Sequence, residues 1–159
     1  MNRSLGHSGP LHVDLTDGPI DVPALLPLIA DPDVGAHAWF IGVTRRTTSS
    51  PDDPEQKLRT ATLHYEAQRT MALSELESLG RDAIGRFALT ALVMVHRLGR
   101  VPIGEACVVV GCSSPHRADS LDALPWVMAA LKRSVPIWKQ ESYEDGQTQW
   151  VHPARPETS

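Results

Sequence analysis

Apolar residues recur along the chain with two periods, one typical of strands and one typical of helices. Alternating or compact apolar runs predict strands at Leu11–Leu15, Ala36–Val43, Leu58–Tyr65, Ala88–His96, Ala106–Cys112 and Gln147–Val151. Helical spacing predicts helices at Val22–Ala30, at Ala67–Phe87 and from Ser113-Ser114-Pro115 to about Lys132. We expect Ala36–Val43 to be buried and Leu58–Tyr65 to be its partner strand.

The element order, roughly β-α-β-β-α-β-β-α-β, predicts an α+β fold with a largely antiparallel sheet and about three helices. The Pro- and Asp-rich segment from Thr44 to Lys57 is expected to be a mobile loop and a candidate lid. No internal repeat or break divides the chain, so residues 11–152 are predicted to form one domain. Polar segments predict disordered tails at 1–10 and 153–159.

Composition excludes some classes of function. The 159 residues carry a formal net charge of -4, which gives no global positive field for nucleic acid. No apolar stretch is long enough to span a bilayer, and the N-terminus does not resemble a signal peptide. Cys107 and Cys112 stand five apart without a metal-binding pattern, which favours two buried free thiols in a reducing cytoplasm.

Four groups of basic residues could build a local anion site. The first is His116-Arg117, at the start of the last long helix, where free backbone N–H groups and the helix dipole favour an anion. The second is Lys132 with Lys139, which Pro136 between them could turn toward one pocket. Such lysines could act as acid, base or nucleophile. Each group also has a plain structural interpretation: a solvated arginine with a local helix cap, or lysines at the rim of an apolar cluster.

The other two groups follow strands. Val43-Thr44-Arg45 places an arginine at the end of a strand, after a glycine, Gly42, that allows close approach of the backbone. His96-Arg97-Leu98-Gly99 offers an arginine for a phosphate or a carboxylate. The alternatives are an ordinary surface arginine in the first case and a hairpin held by side chain–backbone hydrogen bonds in the second.

The order and spacing of these groups resemble one protein family. The matching motifs are Phe40-x-Gly42-x-x-Arg45, Leu63-x-Tyr65-Glu66-Ala67, His96-Arg97-Leu98-Gly99, Gly111-Cys-Ser-Ser-Pro-His116-Arg117, Leu131-Lys132, Pro136-Ile-Trp-Lys139-Gln-Glu141 and Trp150-Val151. Over about residues 11–152 they resemble the large, catalytic subunit of molybdopterin synthase. The chain departs from the family pattern at Arg100, in the loop after Arg45 and at Pro125.

The resemblance implies an α/β-hammerhead-type α+β domain and a cytoplasmic sulfurtransferase. It implies a homodimer of large subunits within a heterotetramer. Each large subunit would bind a small ubiquitin-like subunit, whose C-terminal Gly-Gly thiocarboxylate supplies sulfur to cyclic pyranopterin monophosphate. No separate cofactor and no metal are expected.

The resemblance also assigns roles to residues. It implies Lys132 and Lys139 as catalytic residues. It implies a substrate-binding set of Val43, Thr44, Arg45, His116, Arg117, Lys132, Lys139, Gln140 and Glu141. Two other functions stay open: a non-catalytic paralogue that binds a ubiquitin-like partner, and a regulatory protein that binds a phosphorylated ligand.

Overall fold

The computed structural model describes residues 10–151. Its elements in chain order are β1 (Leu11–Thr16), α1 (Val22–Leu25), a 3-10 turn (Leu26–Ile29), β2 (Ala36–Val43), β3 (Thr47–Ser49), β4 (Lys57–Ala67), α2 (Arg69–Arg86), β5 (Ala91–Arg97), β6 (Gly99–Pro102), β7 (Ala106–Ser114), α3 (Arg117–Ser134), β8 (Ile137–Tyr143) and β9 (Thr148–Val151). The predicted α+β class with three helices is confirmed. None of the described helices combines the length and apolar character needed to cross a membrane.

The predicted tails fall almost entirely outside the described residues, as does His152 at the end of the predicted domain. Pro10 is the exception, because its carbonyl accepts a hydrogen bond from the Leu92 N–H at 3.0 Å. The last residue of the predicted N-terminal tail is therefore tied to the sheet.

The first sheet has the strand order β1-β5-β7-β2, and its β1–β5 pair is parallel while the other two pairs are antiparallel. Its central strand β5 is buried along its whole length. Leu92 and Met94 belong to the core that α2 and α3 cover, whereas Val93 and Val95 pack with Ile29 of the 3-10 turn. Burial on both faces explains why this strand is a continuous apolar run without alternation.

The second sheet has the order β3-β4-β8-β9, and β6 pairs with β4 alongside β3. The prediction that Leu58–Tyr65 pairs with Ala36–Val43 is wrong. The strand containing it, β4, pairs with β3, β6 and β8, whereas β2 pairs with β7. Alternation along a strand fixes which face is apolar but does not identify the neighbouring strand.

The predicted burial of β2 is also wrong. This strand forms an edge of the first sheet, and the side chains of Phe40, Ile41 and Val43 are 39%, 45% and 51% exposed. Its Trp39 packs across the backbone of Gly111, where an added Cβ would lie 2.3 Å from the ring. An apolar run predicts a strand correctly, yet it cannot tell whether a second surface of the same chain covers it.

The segment from Thr44 to Lys57 is not a plain loop, because it contains β3. The three residues of β3 pair with the start of β4, and the Ser50 N–H donates to the Gln56 carbonyl at 2.9 Å. It is therefore a hairpin extension of the second sheet. Its mobility and its role as a lid stay predictions.

Candidate functional site

A cavity of about 940 Å³ lies where the two sheets meet the C-terminal end of α3. Its volume falls in the range of small-molecule sites, about 300–1,000 Å³. The residues that line it are Phe40, Ile41, Gly42, Val43, Arg45, Thr48, Thr60, Leu63, Tyr65, His96, Cys107, Val108, Met128, Ala129, Leu131, Lys132, Arg133, Val135, Ile137, Lys139, Glu141 and Val151. The walls are mostly apolar, with a few basic groups among them.

Lys132 reaches this cavity from the last turn of α3. The exposed carbonyl groups at a helix C-terminus favour a cation there. The helix ends at Ser134, and the Val135 N–H donates to the Leu131 carbonyl at 3.1 Å before Pro136 turns the chain into β8. The sequence-based expectation that both lysines face one pocket agrees with this geometry.

Lys139 reaches the cavity from the other side of that turn. In β8 the side chains alternate, so Ile137, Lys139 and Glu141 share the face that lines the cavity. Gln140 lies between them on the opposite face of the strand and does not line the cavity. The contact of Gln140 with a ligand stays a prediction, and the side chain would have to leave its present face of the strand to make that contact.

Glu141 holds the ammonium group of Lys139 in place. The Glu141 side chain is almost completely buried, its Oε1 lies 3.0 Å from Lys139 Nζ, and its Oε2 accepts a hydrogen bond from the Tyr143 hydroxyl at 3.0 Å. The pKa of Tyr143 is raised to about 12, chiefly by burial and further by the hydrogen bond to Glu141 and the charge of its carboxylate. Both oxygens of the buried carboxylate are thus engaged, and the ion pair fixes the position of Lys139.

Arg45 enters the cavity just beyond the end of β2. The pairing of β2 with β7 shifts register between Gly42 and Val43, a bulge that redirects the end of the strand. Thr44 is tied to the β6–β7 turn because its N–H donates to the Glu105 carbonyl at 3.1 Å. Val43 and Arg45 line the cavity on either side of Thr44.

Thr44 itself does not line the cavity. Its side chain is buried, and its hydroxyl has no hydrogen-bond partner among residues 10–151. The geometry therefore gives Thr44 a role in fixing the backbone that carries Arg45. The predicted contact of its side chain with substrate stays a prediction.

His116 and Arg117 lie at the opposite end of α3 from Lys132. His116 is the N-cap residue and Arg117 the first helical residue, and both are exposed. Lys132 follows His116 by 16 residues, so a helical rise of roughly 1.5 Å per residue separates their backbones by about 24 Å. Within one chain, the structure does not bring this pair to the cavity.

The hydroxyl of Ser114, three residues before α3, ties down the start of the helix. The Ser114 hydroxyl donates to the His116 carbonyl at 2.6 Å and accepts from the Ser120 N–H at 3.1 Å. The His116 side chain makes no capping hydrogen bond, and Pro115 precedes the N-cap instead of standing in the first turn. The imidazole of His116 is consequently available to other molecules.

The arginine of the His96-Arg97-Leu98-Gly99 motif has a structural role. Arg97 is buried and forms an ion pair with the Glu105 side chain, and the side chain–backbone hydrogen bond expected in this motif is made by His96 Nδ1 to the Arg97 carbonyl instead. Gly99 begins β6 with a φ of +78°, a conformation that favours glycine at this tight turn. The pairing of Arg97 with Glu105 argues against the alternative that this arginine binds a phosphate.

Sequence reasoning missed several cavity residues, among them Arg133, Tyr65 and His96. Tyr65 and His96 lie together. Their rings meet edge to face, with centroids 4.8 Å apart, where β4 approaches the end of β5. Burial raises the pKa of the Tyr65 phenol and lowers the pKa of His96 to about 4. Both residues belong to motifs that carried the family resemblance, but nothing in the sequence indicated that strands from different sheets would bring them together.

Both cysteines are buried and unpaired, as predicted. Among residues 10–151 no three His, Cys, Asp or Glu side chains are grouped closely enough to hold a metal ion. Arg45, Lys132 and Arg133 have no carboxylate within 4.0 Å among residues 10–151, in contrast to Lys139. The cavity therefore combines one ion-paired cation with three that no described carboxylate neutralises.

Two proteins named molybdopterin synthase catalytic subunit are similar to this chain. That of Culex quinquefasciatus is 40% identical over 140 residues, which cover 87% of this chain and 85% of the relative. That of Drosophila willistoni is 38% identical over 141 residues, which cover 87% of this chain and 36% of the relative. The chain thus spans little more than a third of the length of the Drosophila protein.

Two solved structures share its fold. "The X-ray Crystal Structure of Molybdopterin Synthase from Staphylococcus aureus" superposes with a TM-score of 0.78 at 30% identity, covering 86% of this chain and 94% of the other. A complex of subunits 1 and 2 of molybdopterin-converting factor from Helicobacter pylori contains a chain with a TM-score of 0.66. At 19% identity, with 92% of each chain covered, it supports the fold alone.

The sequence model of the MoaE protein family matches residues 15–134, which run from the end of β1 to the end of α3. The match includes Arg45, His116, Arg117 and Lys132, and it ends just before the strand that carries Lys139. With most of its length covered, the chain belongs to the MoaE protein family.

Proposed function

We propose that this chain is the catalytic subunit of a molybdopterin synthase, a sulfurtransferase that forms the dithiolene of molybdopterin. One observation carries the proposal: Arg45, Lys132 and Lys139 converge from three separate elements on one cavity of small-molecule size. Two of the three lysines in the chain line this cavity, and the third, Lys57, lies outside it. Membership of the MoaE family supports this interpretation of the cavity.

The proposed substrate is cyclic pyranopterin monophosphate. Its phosphate carries negative charge, and charge-assisted hydrogen bonds from guanidinium and ammonium groups are the strongest that a protein offers to phosphate. The apolar walls exclude water and strengthen these interactions. Three cations of the cavity have no carboxylate partner among the described residues, and two of them, Arg45 and Lys132, belong to the predicted substrate-binding set and are suited to take up the charge of an incoming anion.

The proposed sulfur donor is the C-terminal Gly-Gly thiocarboxylate of a small ubiquitin-like subunit. The thiocarboxylate is anionic, so the same cations would guide it into the cavity. In each transfer its sulfur bonds to a carbon of the pterin side chain and displaces the oxygen on that carbon, which leaves once as the phosphate oxygen of the opened cyclic ester and once as water. Water then cleaves the acyl–sulfur bond, which leaves a carboxylate on the partner and the sulfur on the pterin. Two such transfers form the dithiolene, and the sulfur arrives without a cofactor of this chain.

The Helicobacter pylori structure is a complex of two subunits of molybdopterin-converting factor, and by analogy with it we propose a protein partner for the present chain. The exposed apolar side chains of Phe40, Ile41 and Val43 also line the cavity, and they offer a surface beside its mouth. We propose the cytoplasm as the compartment, in keeping with the two unpaired thiols.

We further propose that the active molecule is a homodimer of this chain within a heterotetramer. His116 and Arg117 are too far from Lys132 in one chain to share a ligand with it. A second copy related by a two-fold axis could bring its exposed helix N-terminus to the cavity of the first. The two ends of α3 would then serve two different pockets.

Replacement of Lys132 by alanine tests the catalytic assignment. We expect Lys132→Ala to lower the rate of molybdopterin formation about 100-fold or more, because the variant lacks an unneutralised ammonium group that can stabilise the oxyanion or move a proton. The measurement uses purified chain, thiocarboxylated small subunit and cyclic pyranopterin monophosphate.

Lys57→Ala is the matched control. Lys57 is exposed, donates a hydrogen bond to Ser49 Oγ at 2.8 Å, and does not line the cavity, so its variant should keep wild-type activity. Equal rates in both variants would remove Lys132 from the mechanism. If the wild-type chain binds the partner but forms no product, the chain is a non-catalytic paralogue.

A further inference from the structure

The imidazole of His96 is fixed in one tautomer by its hydrogen bonding. His96 Nδ1 lies 2.8 Å from the Arg97 carbonyl oxygen, which can only accept a hydrogen bond. Nδ1 therefore carries the proton, and Nε2 of the neutral ring carries a lone pair. Burial keeps the ring neutral, because it lowers the pKa of His96 to about 4. The ring thus offers an acceptor at neutral pH.

His96 Nε2 is not used within the described part of the chain. No residue among 10–151 hydrogen-bonds it, and it is not one of the fully enclosed polar atoms of these residues, so solvent in the cavity reaches it. The edge-to-face contact with Tyr65 fixes the plane of the ring. Tyr65 is in turn the cross-strand neighbour of Lys139. The Tyr65 ring therefore lies beside both the imidazole of His96 and a residue that carries a cavity cation.

The other polar side chains of the cavity differ from this acceptor in kind. The basic groups of Arg45, Lys132, Arg133 and Lys139 can only donate hydrogen bonds, and the hydroxyls of Thr48, Thr60 and Tyr65 can turn to donate or accept, whereas Nε2 of the neutral ring only accepts. The Glu141 carboxylate is almost completely buried and already accepts from Lys139 and Tyr143, so little of it faces a ligand. A ligand with both an anionic group and N–H donors would therefore find cations for its anion and the imidazole for an N–H group.

We propose that His96 Nε2 accepts a hydrogen bond from an N–H group of the pterin ring system and so selects a donor-bearing heterocycle over a simple phosphate. This inference rests on the proposed function, because it assigns a specificity-determining contact within the same cavity. A pterin carries ring N–H and exocyclic amino donors, whereas inorganic phosphate engages only the cations. His96 acts as a fixed acceptor and does not exchange protons during turnover.

Two variants separate this contact from a purely structural role. In His96→Asn the side-chain amide stands near the position of Nδ1 and can still donate to the Arg97 carbonyl, but the acceptor at Nε2 is lost. In His96→Gln the amide reaches the position of Nε2 and restores an acceptor, but the bond to Arg97 is lost. Affinities for cyclic pyranopterin monophosphate, inorganic phosphate and the small subunit are measured by calorimetry, and product formation is assayed in parallel.

We expect His96→Asn to bind the pterin about tenfold more weakly, the usual consequence of losing one hydrogen bond to a ligand. Its affinities for inorganic phosphate and for the small subunit should stay at the wild-type level. His96→Gln should bind the pterin within about threefold of wild type while unfolding at a lower urea concentration. If His96→Gln does not fold, the 15N resonance of Nε2 in the wild-type protein, expected to move on addition of pterin but not of phosphate, tests the contact directly.

Pterin binding by His96→Asn at wild-type affinity would overturn the inference, as would an Nε2 resonance that pterin leaves unchanged. Equal weakening of pterin and inorganic phosphate would also overturn it, because it would indicate a general distortion of the cavity. These outcomes leave the proposed function intact wherever the wild-type chain forms molybdopterin. A wild-type chain that neither binds the pterin nor forms product would defeat the proposed function and this inference together.

Discussion

At its C-terminal end α3 delivers Lys132 into a cavity that Lys139 and Arg45 also enter, whereas at its N-terminal end His116 and Arg117 face solvent. Both ends carry basic residues of the kind that binds anions. Within residues 10–151, strands from both sheets supply apolar walls around the C-terminal end, whereas His116 and Arg117 at the N-terminal end line no cavity of this kind. The comparison shows that a set of cations becomes a site through the surfaces that surround it, and that residues 10–151 surround only one of these two sets.

The N-terminal end of α3 is organised by hydrogen bonds among its own residues. The Ser114 hydroxyl serves both the His116 carbonyl and the Ser120 N–H, so the helix starts without help from the His116 side chain. The C-terminal end depends on long-range neighbours, above all β8 and the end of β2. The second copy of the chain proposed above would supply neighbours for the N-terminal end.

The sharpest test mixes two inactive variants. We expect Lys132→Ala and Arg117→Ala to be nearly inactive as separate homodimers. If the two ends of α3 serve different pockets, a hybrid dimer of the two variants has one intact pocket. That pocket combines Lys132 of the Arg117→Ala chain with Arg117 of the Lys132→Ala chain. Random mixing would restore about a quarter of wild-type activity. The measurement is product formation after the two variants are refolded or expressed together.

Absence of restored activity in verified hybrid dimers would show that the two ends do not complete a pocket across the dimer. A mixture of Lys132→Ala with Lys139→Ala is the matched control. Both lysines enter the same cavity from one chain, so their hybrid dimer has no intact pocket and should stay inactive.

A smaller effect is expected when the ion pair of Lys139 is removed. Glu141→Gln keeps the shape of the side chain but removes the charge that positions the ammonium group, so we expect turnover to fall about tenfold. The same change should lower the pKa of Tyr143 from about 12, because the carboxylate that stabilises the protonated phenol is lost. Activity assays and titration of the phenolate absorbance measure the two effects.

The matched control for that substitution is Tyr143→Phe, which removes the phenol and leaves the Lys139–Glu141 pair in place. It should keep most of the activity. If Glu141→Gln retains both wild-type turnover and the high pKa of Tyr143, the carboxylate does not organise this end of the cavity.

The smallest effect is one of stability. Burial lowers the pKa of His96 to about 4 in the folded chain, against about 6.5 when unfolded. The unfolded chain therefore binds the proton more readily. The contribution of His96 to stability is fully present above about pH 6.5 and is lost as the pH falls toward about 4. We expect the free energy of unfolding to decrease by about 3 kcal/mol over this range. Urea unfolding between about pH 7 and about pH 4.5 measures it.

His96→Asn should reduce this dependence on pH, since it carries no titrating ring. His116→Asn, at the exposed end of α3, is the control for the loss of an imidazole. It should leave the dependence of the unfolding free energy on pH unchanged. An unaltered slope in His96→Asn would mean that other groups account for the acid sensitivity.

Local patterns predicted the elements well. Helical spacing located α2 and α3 to within a few residues, and the apolar run at Ala106–Cys112 located β7. The predicted helix at Val22–Ala30 divides into α1 and a 3-10 turn, because Pro27 has no N–H to continue the helical ladder. Pairing was less predictable: β4 joined a separate sheet, and β6 went unnoticed because Gly99–Pro102 is short and has no clear period.

The candidate site divides in the same way. The sequence predicts that Lys132 and Lys139 meet because only a short turn with a proline separates their elements, and they line one cavity. It does not predict that Tyr65 and His96 meet, because strands of different sheets carry them. The family resemblance groups His116 and Arg117 with the lysines, yet within one chain the length of α3 holds them apart.

The sequence by itself determined the class of fold, the positions of the helices, the family and the identity of the basic residues. These depend on local periodicity and on motifs that are short in sequence. The tertiary structure decided which of the basic residues share a cavity, that β2 exposes its apolar side chains, and that His96 presents a free acceptor to the same space within the described residues. Those facts depend on contacts between residues far apart in the chain, whose pairing no local pattern encodes.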